Sequence, residues 1–209
     1  MAIARAPGGD IARVRHPWWG WRWLAQLGHD TAAQPGAVPA LTAEYERFLH
    51  EHERPVLNYL WRMTGDESAA YDLTQETFLR AWQRFEAIRR YEQPRSWLFR
   101  VATNLALTYL KRRRLALSAW VADDEADTLP SGSDPMARVD ESDAVRRTLL
   151  WLSPRRRAAL VLREVYGLSA SEVGRVLGIS DAAVRMELFR GRAQFRALYL
   201  GEGSADDGQ

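Results

Sequence analysis

The sequence predicts an all-α protein: two small helical domains joined by an acidic linker, the C-terminal one a helix-turn-helix domain. Three observations predict it. Apolar residues recur at three- and four-residue steps in several separate stretches, and no stretch reads as a credible strand. Charge is divided: residues 84–114 hold nine basic and two acidic side chains and residues 144–200 hold eleven and four, whereas 115–143 between them hold one and eight. Residues 168–192, LSASEVGRVLGISDAAVRMELFRGR, read as two short helices about a tight turn. The resulting division is an N-terminal extension containing Trp, Pro and Gly over 1–40, a first domain over 41–114, the flexible acidic linker over 115–143, a second domain over 144–200 and a polar tail over 201–209.

Composition narrows the function classes. Of the 209 residues 46% are hydrophobic, enough for a folded protein, and none is cysteine, which excludes disulfides and thiolate metal sites. His16, His29, His50 and His52 form no defensible metal-binding arrangement, and neither paired catalytic groups nor a glycine loop for phosphate stands out. No enzymatic activity, metal, cofactor or small-molecule substrate is therefore expected. In the extension, HPWWGWRWL at 16–24 holds four of the nine tryptophans, but it is too short to span a membrane and lacks the apolar run of a signal peptide. A cytoplasmic protein is expected. The tryptophan cluster either packs on the protein itself, extends as a poorly ordered tail, meets a partner or rests at a membrane interface.

In the first domain Thr42 is placed to cap a helix carrying Tyr45, Phe48, Leu49, Val56, Leu57 and Leu60, with Pro55 marking a kink or break. After a turn at 63–66, a second helix runs from about Glu67 to Phe85 with Ala70, Leu73, Thr77, Phe78, Ala81 and Trp82 on its apolar side. Its other side shows Asp72, Gln75, Glu76, Leu79 and Gln83. The like charges at Asp72 and Glu76 slightly oppose the helix, although Arg80 can offset Glu76. That face suits a basic partner or plain solvent. Residues 86–93, EAIRRYEQ, read as a basic-aromatic loop. From Pro94 a third helix carries Trp97, Leu98, Val101, Ala102, Leu105, Ala106, Tyr109 and Leu110, and Lys111 to Arg114 close it at the negative end of its dipole. Arg95, Arg100, Thr103 and Asn104 take polar or boundary positions. Cations beside aromatics can hold a nucleic-acid strand through phosphate contact and base stacking, while Trp97 suits the core equally well.

In the second domain Val145, Leu149, Leu150 and Leu152 mark a helix, and Ser153 with Pro154 starts another that ends at Gly167. Ser169 and Glu172 then form a capping box, and Val173, Val176 and Leu177 give the next helix its apolar stripe. Gly178 stops that helix. Ser180 caps the last one, with Asp181 at the positive end of its dipole. The last helix buries Val184, Leu188, Gly191 and Phe195 and turns Ala182, Arg185, Met186, Phe189 and Ala193 outward, the placement of a helix that enters a DNA major groove. Fully extended, the linker reaches about 96 Å, more than the roughly 70 Å of two duplex turns, so the domains can touch separate sites on one DNA.

Together these motifs resemble bacterial RNA polymerase sigma factors of the sigma-70 family, in particular the small two-domain extracytoplasmic-function (ECF) group. DLTQETFLRAW at 72–82 resembles their core-polymerase-binding helix, and PRSWLFRVATNLALTYLKRRR at 94–114 the following helix that engages promoter DNA. LSPRRRAALVLREVYGLSASEVGRVLGISDAAVRMELFRGRAQFRAL at 152–198 resembles their terminal DNA-reading domain.

The resemblance implies a specificity subunit that binds core polymerase, recognises the −10 and −35 promoter elements and promotes DNA opening. It implies that Asp72, Gln75, Glu76 and Leu79 bind core RNA polymerase. It further implies that Phe85, Glu86, Arg89 and Arg90, with Arg95, Trp97, Arg100 and Asn104 adjoining, capture an unstacked base of a partly single-stranded −10 element. The −35 element is then read as duplex, with Ser180, Asp181 and Ala182 at the leading end of the helix. Arg185, Met186 and Phe189 follow on the exposed face, and Arg190 and Arg192 position the phosphates. An anti-sigma factor, often membrane-bound, is implied as a partner. Two positions depart from the family pattern: Glu187 stands where a basic residue is common, which would weaken phosphate binding, and Thr108 where an acidic one is frequent. A stand-alone repressor or activator using Arg185, or a helical signalling adaptor, are the alternative readings.

Overall fold

Helix caps and glycines set the element boundaries in the computed structural model, which describes residues 37–121 and 141–201. The described residues form helices joined by short turns and loops, without a strand. Helix α1 covers Ala37–Thr64, α2 Glu67–Gln83, α3 Phe85–Ile88 and α4 Pro94–Val121; α5 covers Glu141–Leu150, α6 Pro154–Leu160, α7 Ala170–Leu177 and α8 Asp181–Leu200. A short π-helix, Val161–Val165, continues α6. Residues up to Arg47 form one unit and Phe48–Gln209 another, which holds the second sequence domain and the first from Phe48 onward. The tryptophan cluster at 16–24 lies outside the described residues.

Several boundaries differ from those read in the sequence. Helix α1 starts at Ala37, before Thr42, and continues through Pro55 without a break. Pro55 removes one backbone donor, but a long helix with a buried face can absorb that loss. The expected single helix over 67–85 ends at Gln83, and Phe85–Ile88 forms a separate turn of helix. Helix α4 runs on through Val121, so the expected linker start at residue 115 lies inside a helix; LALSAWV has good helix formers, and the acidic composition begins only after it.

The first domain of the Phe48–Gln209 unit is organised around α2 packed on α4. Ala70, Phe78, Ala81, Leu98, Phe99, Ala102 and Ala106 are buried. Thr103, expected at a boundary, is fully buried instead, where its hydroxyl bonds the Phe99 carbonyl at 2.6 Å and meets the Tyr59 hydroxyl at 2.7 Å. Gly65 closes α1 with a left-handed φ of 69°, and Asp66 accepts from the Ala69 N–H at 3.0 Å to cap α2. That bond, with one from the Tyr109 hydroxyl, holds the Asp66 carboxyl below its usual range.

In the second domain α6 packs on α8 and α7 packs against both. Arg157 is its buried charge, only 5% exposed. The guanidinium meets carbonyls rather than a carboxylate: Nε donates to Leu149 at 2.8 Å, and Nη2 to Leu150 at 2.6 Å and Leu152 at 3.1 Å. Carbonyls at the end of α5 are thereby satisfied by a side chain from the next helix. Burial pushes the Arg157 pKa down to about 10, which leaves it cationic at neutral pH.

Candidate nucleic-acid interface

The helix-turn-helix forms from local signals. Ser169 Oγ accepts the Glu172 N–H at 3.2 Å while Glu172 Oε2 accepts the Ser169 N–H at 2.7 Å, and these bonds hold the Glu172 pKa down. Gly178 ends α7 in the left-handed conformation at φ 66°. Gly174 lets the turn close: a Cβ there would lie 2.8 Å from the Ile179 carbonyl oxygen, which no ordinary side chain tolerates. Ser180 then caps α8 by accepting the Ala183 N–H at 3.2 Å. Val184, Leu188 and Gly191 face inward, and Gly191 admits Leu160 to within 3.1 Å of where a Cβ would stand.

That packing turns the opposite face of α8 to solvent. Ser180, Asp181, Ala182, Arg185, Met186, Phe189 and Arg190 are all exposed. Phe189 is 71% exposed and Met186 48%, an apolar pair held outward between two arginines. Arginine can reach guanine or phosphate from such a face, and an aromatic edge can meet a thymine methyl. Arg192 differs from the others, because Glu164 accepts from its Nε at 3.0 Å within the domain. Glu187 is also engaged: its carboxylate lies 3.3 Å from Arg156 Nε, and Arg156 Nη1 donates to Gln194 at 3.1 Å. A carboxylate neutralised by its own domain opposes phosphate less than a bare one would.

In the first domain the predicted −10 residues divide into four sets. Glu86, Arg89 and Arg90 are exposed around α3, with Glu86 and Arg90 3.9 Å apart. Phe85 does not join them. It is 3% exposed, with its ring centroid 5.4 Å from that of Phe48, so α3 is anchored by Phe85 and Ile88 and the phenyl ring is not available to stack on a base. Tyr91, 46% exposed in the same loop beside Arg89 and Arg90, is the aromatic that is available; the basic-aromatic loop signals it, although Tyr91 is not among the residues expected there.

Along α4, Trp97, Arg100 and Asn104 recur at three- and four-residue steps on the outward side, and Lys111 continues the stripe. Trp97 is half-buried, which lets one edge pack while another faces the stripe. Arg95 stands on the other side of α4, with its guanidinium 5.4 Å from the Phe99 ring centroid and Nη2 donating to the Tyr166 carbonyl at 3.1 Å. Thr108, one of the two departures, bonds the Asn104 carbonyl of its own helix at 2.8 Å.

On α2, Asp72 and Gln75 are exposed and Glu76 and Leu79 half-buried, one face of mixed acidic and apolar character. Arg80 Nε lies 2.7 Å from Glu76, the offset expected from their spacing. Asp72 makes no ion pair among the described residues, so its charge stays available to a basic surface.

Comparison with known proteins settles what joins these two surfaces in one chain. Residues 48–116 match the model of Sigma-70 region 2, and residues 142–195 that of Sigma-70, region 4. The ECF RNA polymerase sigma factor SigE of Mycolicibacterium smegmatis is 32% identical over 86% of this chain and 69% of its own length. The chain belongs to the ECF group of the sigma-70 family. ECF RNA polymerase sigma factor SigG of Mycobacterium tuberculosis is 34% identical over 80% of this chain and 52% of its own length, so the chain spans about half the length of that relative. The sigma-factor fold is shared with RpoE of Bartonella quintana, solved in complex with the anti-sigma factor NepR, at a TM-score of 0.62 and 18% identity over 74% of this chain and 96% of that one. It is shared also with CnrH in complex with the cytosolic domain of CnrY, at 0.54 and 23% over 81% and 96%. No helix among the described residues of this sigma-factor chain is long and apolar enough to cross a membrane.

Proposed function

We propose that this chain is a non-enzymatic transcription initiation factor of the cytoplasm, which binds core RNA polymerase, reads promoter DNA at −10 and −35 and promotes its opening. One observation carries this reading: a bare recognition face on α8 and an exposed acidic-apolar face on α2 occur in the same family member. Asp72, Gln75, Glu76 and Leu79 dock on core polymerase. Ser180, Asp181, Ala182, Arg185, Met186, Phe189 and Arg190 read the −35 duplex, and Arg192 lies nearer the module's own Glu164 than the groove-facing set does.

At −10 the assigned work divides by chemistry. Tyr91 offers a stacking platform, and Glu86, Arg89 and Arg90 surround it. Trp97, Arg100, Asn104 and Lys111 track the strand along α4. Binding to an unpaired strand favours the open duplex, so melting follows from selective capture without hydrolysis. An anti-sigma factor is the proposed regulatory partner, as in the solved complex of the sigma factor RpoE with the anti-sigma factor NepR.

The test is transcription of a genomic DNA library by purified core polymerase with and without the protein. New, reproducible starts that share −10 and −35 elements are expected. Their absence, with a control sigma factor active on the same core, would favour a stand-alone regulator.

A further inference from the structure

Arg156 and Arg157 are neighbours at the start of α6 in the region 4 module, with opposite surroundings. The Arg157 guanidinium is enclosed: it donates to carbonyls of α5 and, across to the region 2 module, to the Met63 carbonyl at the end of α1. Arg156 is not enclosed. Its side chain is 31% exposed and leans on the recognition helix, where Nε stands 3.3 Å from Glu187 Oε2 as an ion pair and Nη1 donates to Gln194 Oε1 at 3.1 Å. Nε is buried beside that carboxylate without an aligned hydrogen bond. A guanidinium carries five N–H donors in a planar fork, two of them on Nη2. Here Nη2 makes no hydrogen bond among the described residues and is not buried, so its donors reach solvent.

Where Nη2 emerges decides what it can meet. Glu187, Arg190 and Gln194 follow one another at steps of three and four residues, so they share one side of α8, bordering the outward Met186. Arg190 is exposed, and the two anchors of Arg156 flank it along the helix. The α6 cation is thereby set beside the α8 cation on one edge of the recognition helix. Two cations side by side repel, and Glu187 offsets only one charge. On the opposite edge Arg192 is likewise held by a carboxylate of another element, Glu164. The major groove is about 12 Å wide and a helix with its side chains about 10–12 Å across, so a helix seated there brings both edges against phosphates. The edge that carries Arg190 and Arg156 therefore meets one of the two strands' backbones.

We propose that Arg156 is a further phosphate-contacting residue of the −35 interface, supplied from α6, and that Glu187 and Gln194 are positioning residues that aim its Nη2 along the edge of α8. The assignment rests on the −35 reading above. It gives the carboxylate of Glu187 work other than reading a base, since it faces a guanidinium of its own module. Fixing the fork beforehand also spares the cost of ordering a long side chain when DNA arrives.

The test titrates the full chain against short labelled duplexes with a randomised central sequence at several salt concentrations, and sequences the bound fraction. Arg156→Gln should weaken binding about tenfold across the pool and lower the slope of log affinity against log salt by about 0.9, with the enriched sequences unchanged. Arg156→Lys, which keeps the charge, should retain the parent's slope. Glu187→Gln tests the aim: in its background Arg156→Gln should cost less than about threefold, against about tenfold in the parent. An unchanged slope in Arg156→Gln, or a slope lost equally in Arg156→Lys, would overturn the phosphate contact. A full tenfold cost in the Glu187→Gln background would overturn the positioning role. Arg185→Ala separates this assignment from the reading beneath it. Enriched sequences unmoved by that change would strike the −35 reading, and the slope of Arg156→Gln still decides whether Arg156 meets phosphate.

Discussion

The two surfaces proposed to meet DNA are in opposite states in this chain. On α8, Arg185, Met186, Phe189 and Arg190 stand in solvent, while at the start of α4 Arg95 and Gln93 are engaged by residues of the other module. Both surfaces are basic and aromatic, so composition does not separate them; what lies behind each does. The recognition helix is fixed from its own module by Ser180, Val184, Leu188 and Gly191, and it needs nothing on its outer face. The start of α4 has no such independence, because Phe99 and Arg95 share Tyr166 with the neighbouring module.

The largest expected effect comes from Arg157, which ties the two modules' backbones together. Arg157→Met leaves carbonyls of α5 without their donor and should cost about 3–5 kcal/mol in denaturant unfolding. A loss below 1 kcal/mol would show that water replaces the guanidinium there. Two phenylalanines sharpen the comparison next. Phe85→Ala, in the core, should cost about 3–5 kcal/mol of stability, whereas Phe189→Ala should leave stability unchanged and weaken −35 duplex binding by about 1–2 kcal/mol. Equal thermal stability of the two variants would erase the distinction drawn between them.

Charge reversal at Asp72 and Glu76 tests a surface that the region 4 module leaves open, with Asp72 exposed and Glu76 half-buried. Core-polymerase affinity should fall by about 2–3 kcal/mol, read by competition with a control sigma factor, with duplex binding by α8 intact. Tyr91→Ala should weaken capture of the −10 single strand by about 1–3 kcal/mol, and unchanged binding in a strand titration would remove Tyr91 from the site. The smallest effect is the pH dependence from Asp66. Its folded pKa is lowered, so its contribution is fully present above the ordinary 3.8 and is lost as pH falls through the lower folded value. Asp66→Asn keeps a capping side chain and should flatten that part of the acid unfolding curve.

What could be read from the sequence follows the range of the signal. The capping box at Ser169 and Glu172, the Gly178 stop and the Ser180 cap each act within a few residues, and the exposed face of α8 follows from the period once those ends are set. The family resemblance adds the role proposed for Asp72 and Glu76, which carboxylates on a helix face alone do not announce. Phe85 is harder to place, because one turn of helix at 85–88 is too short to show a period, and a phenylalanine in a basic loop looks like a stacking residue until its partner Phe48 is known. Arg95 and Tyr166 are 71 residues apart, and no local pattern marks a contact between them. Gly174 resembles any small residue in a helix until the return of Ile179 is seen.

The contacts between the two modules are aromatic rings, an apolar side chain over a glycine, and hydrogen bonds from a tyrosine hydroxyl and from arginines to carbonyls and one side-chain amide, whereas those proposed for DNA include arginines on phosphates. Ionic strength acts on the two unequally. Counterion release makes phosphate contacts fall steeply with salt, while buried contacts between a guanidinium and a carbonyl are screened far less. A rise in ionic strength would therefore loosen an arginine-on-phosphate hold on DNA far more than it loosens the contacts between the two modules.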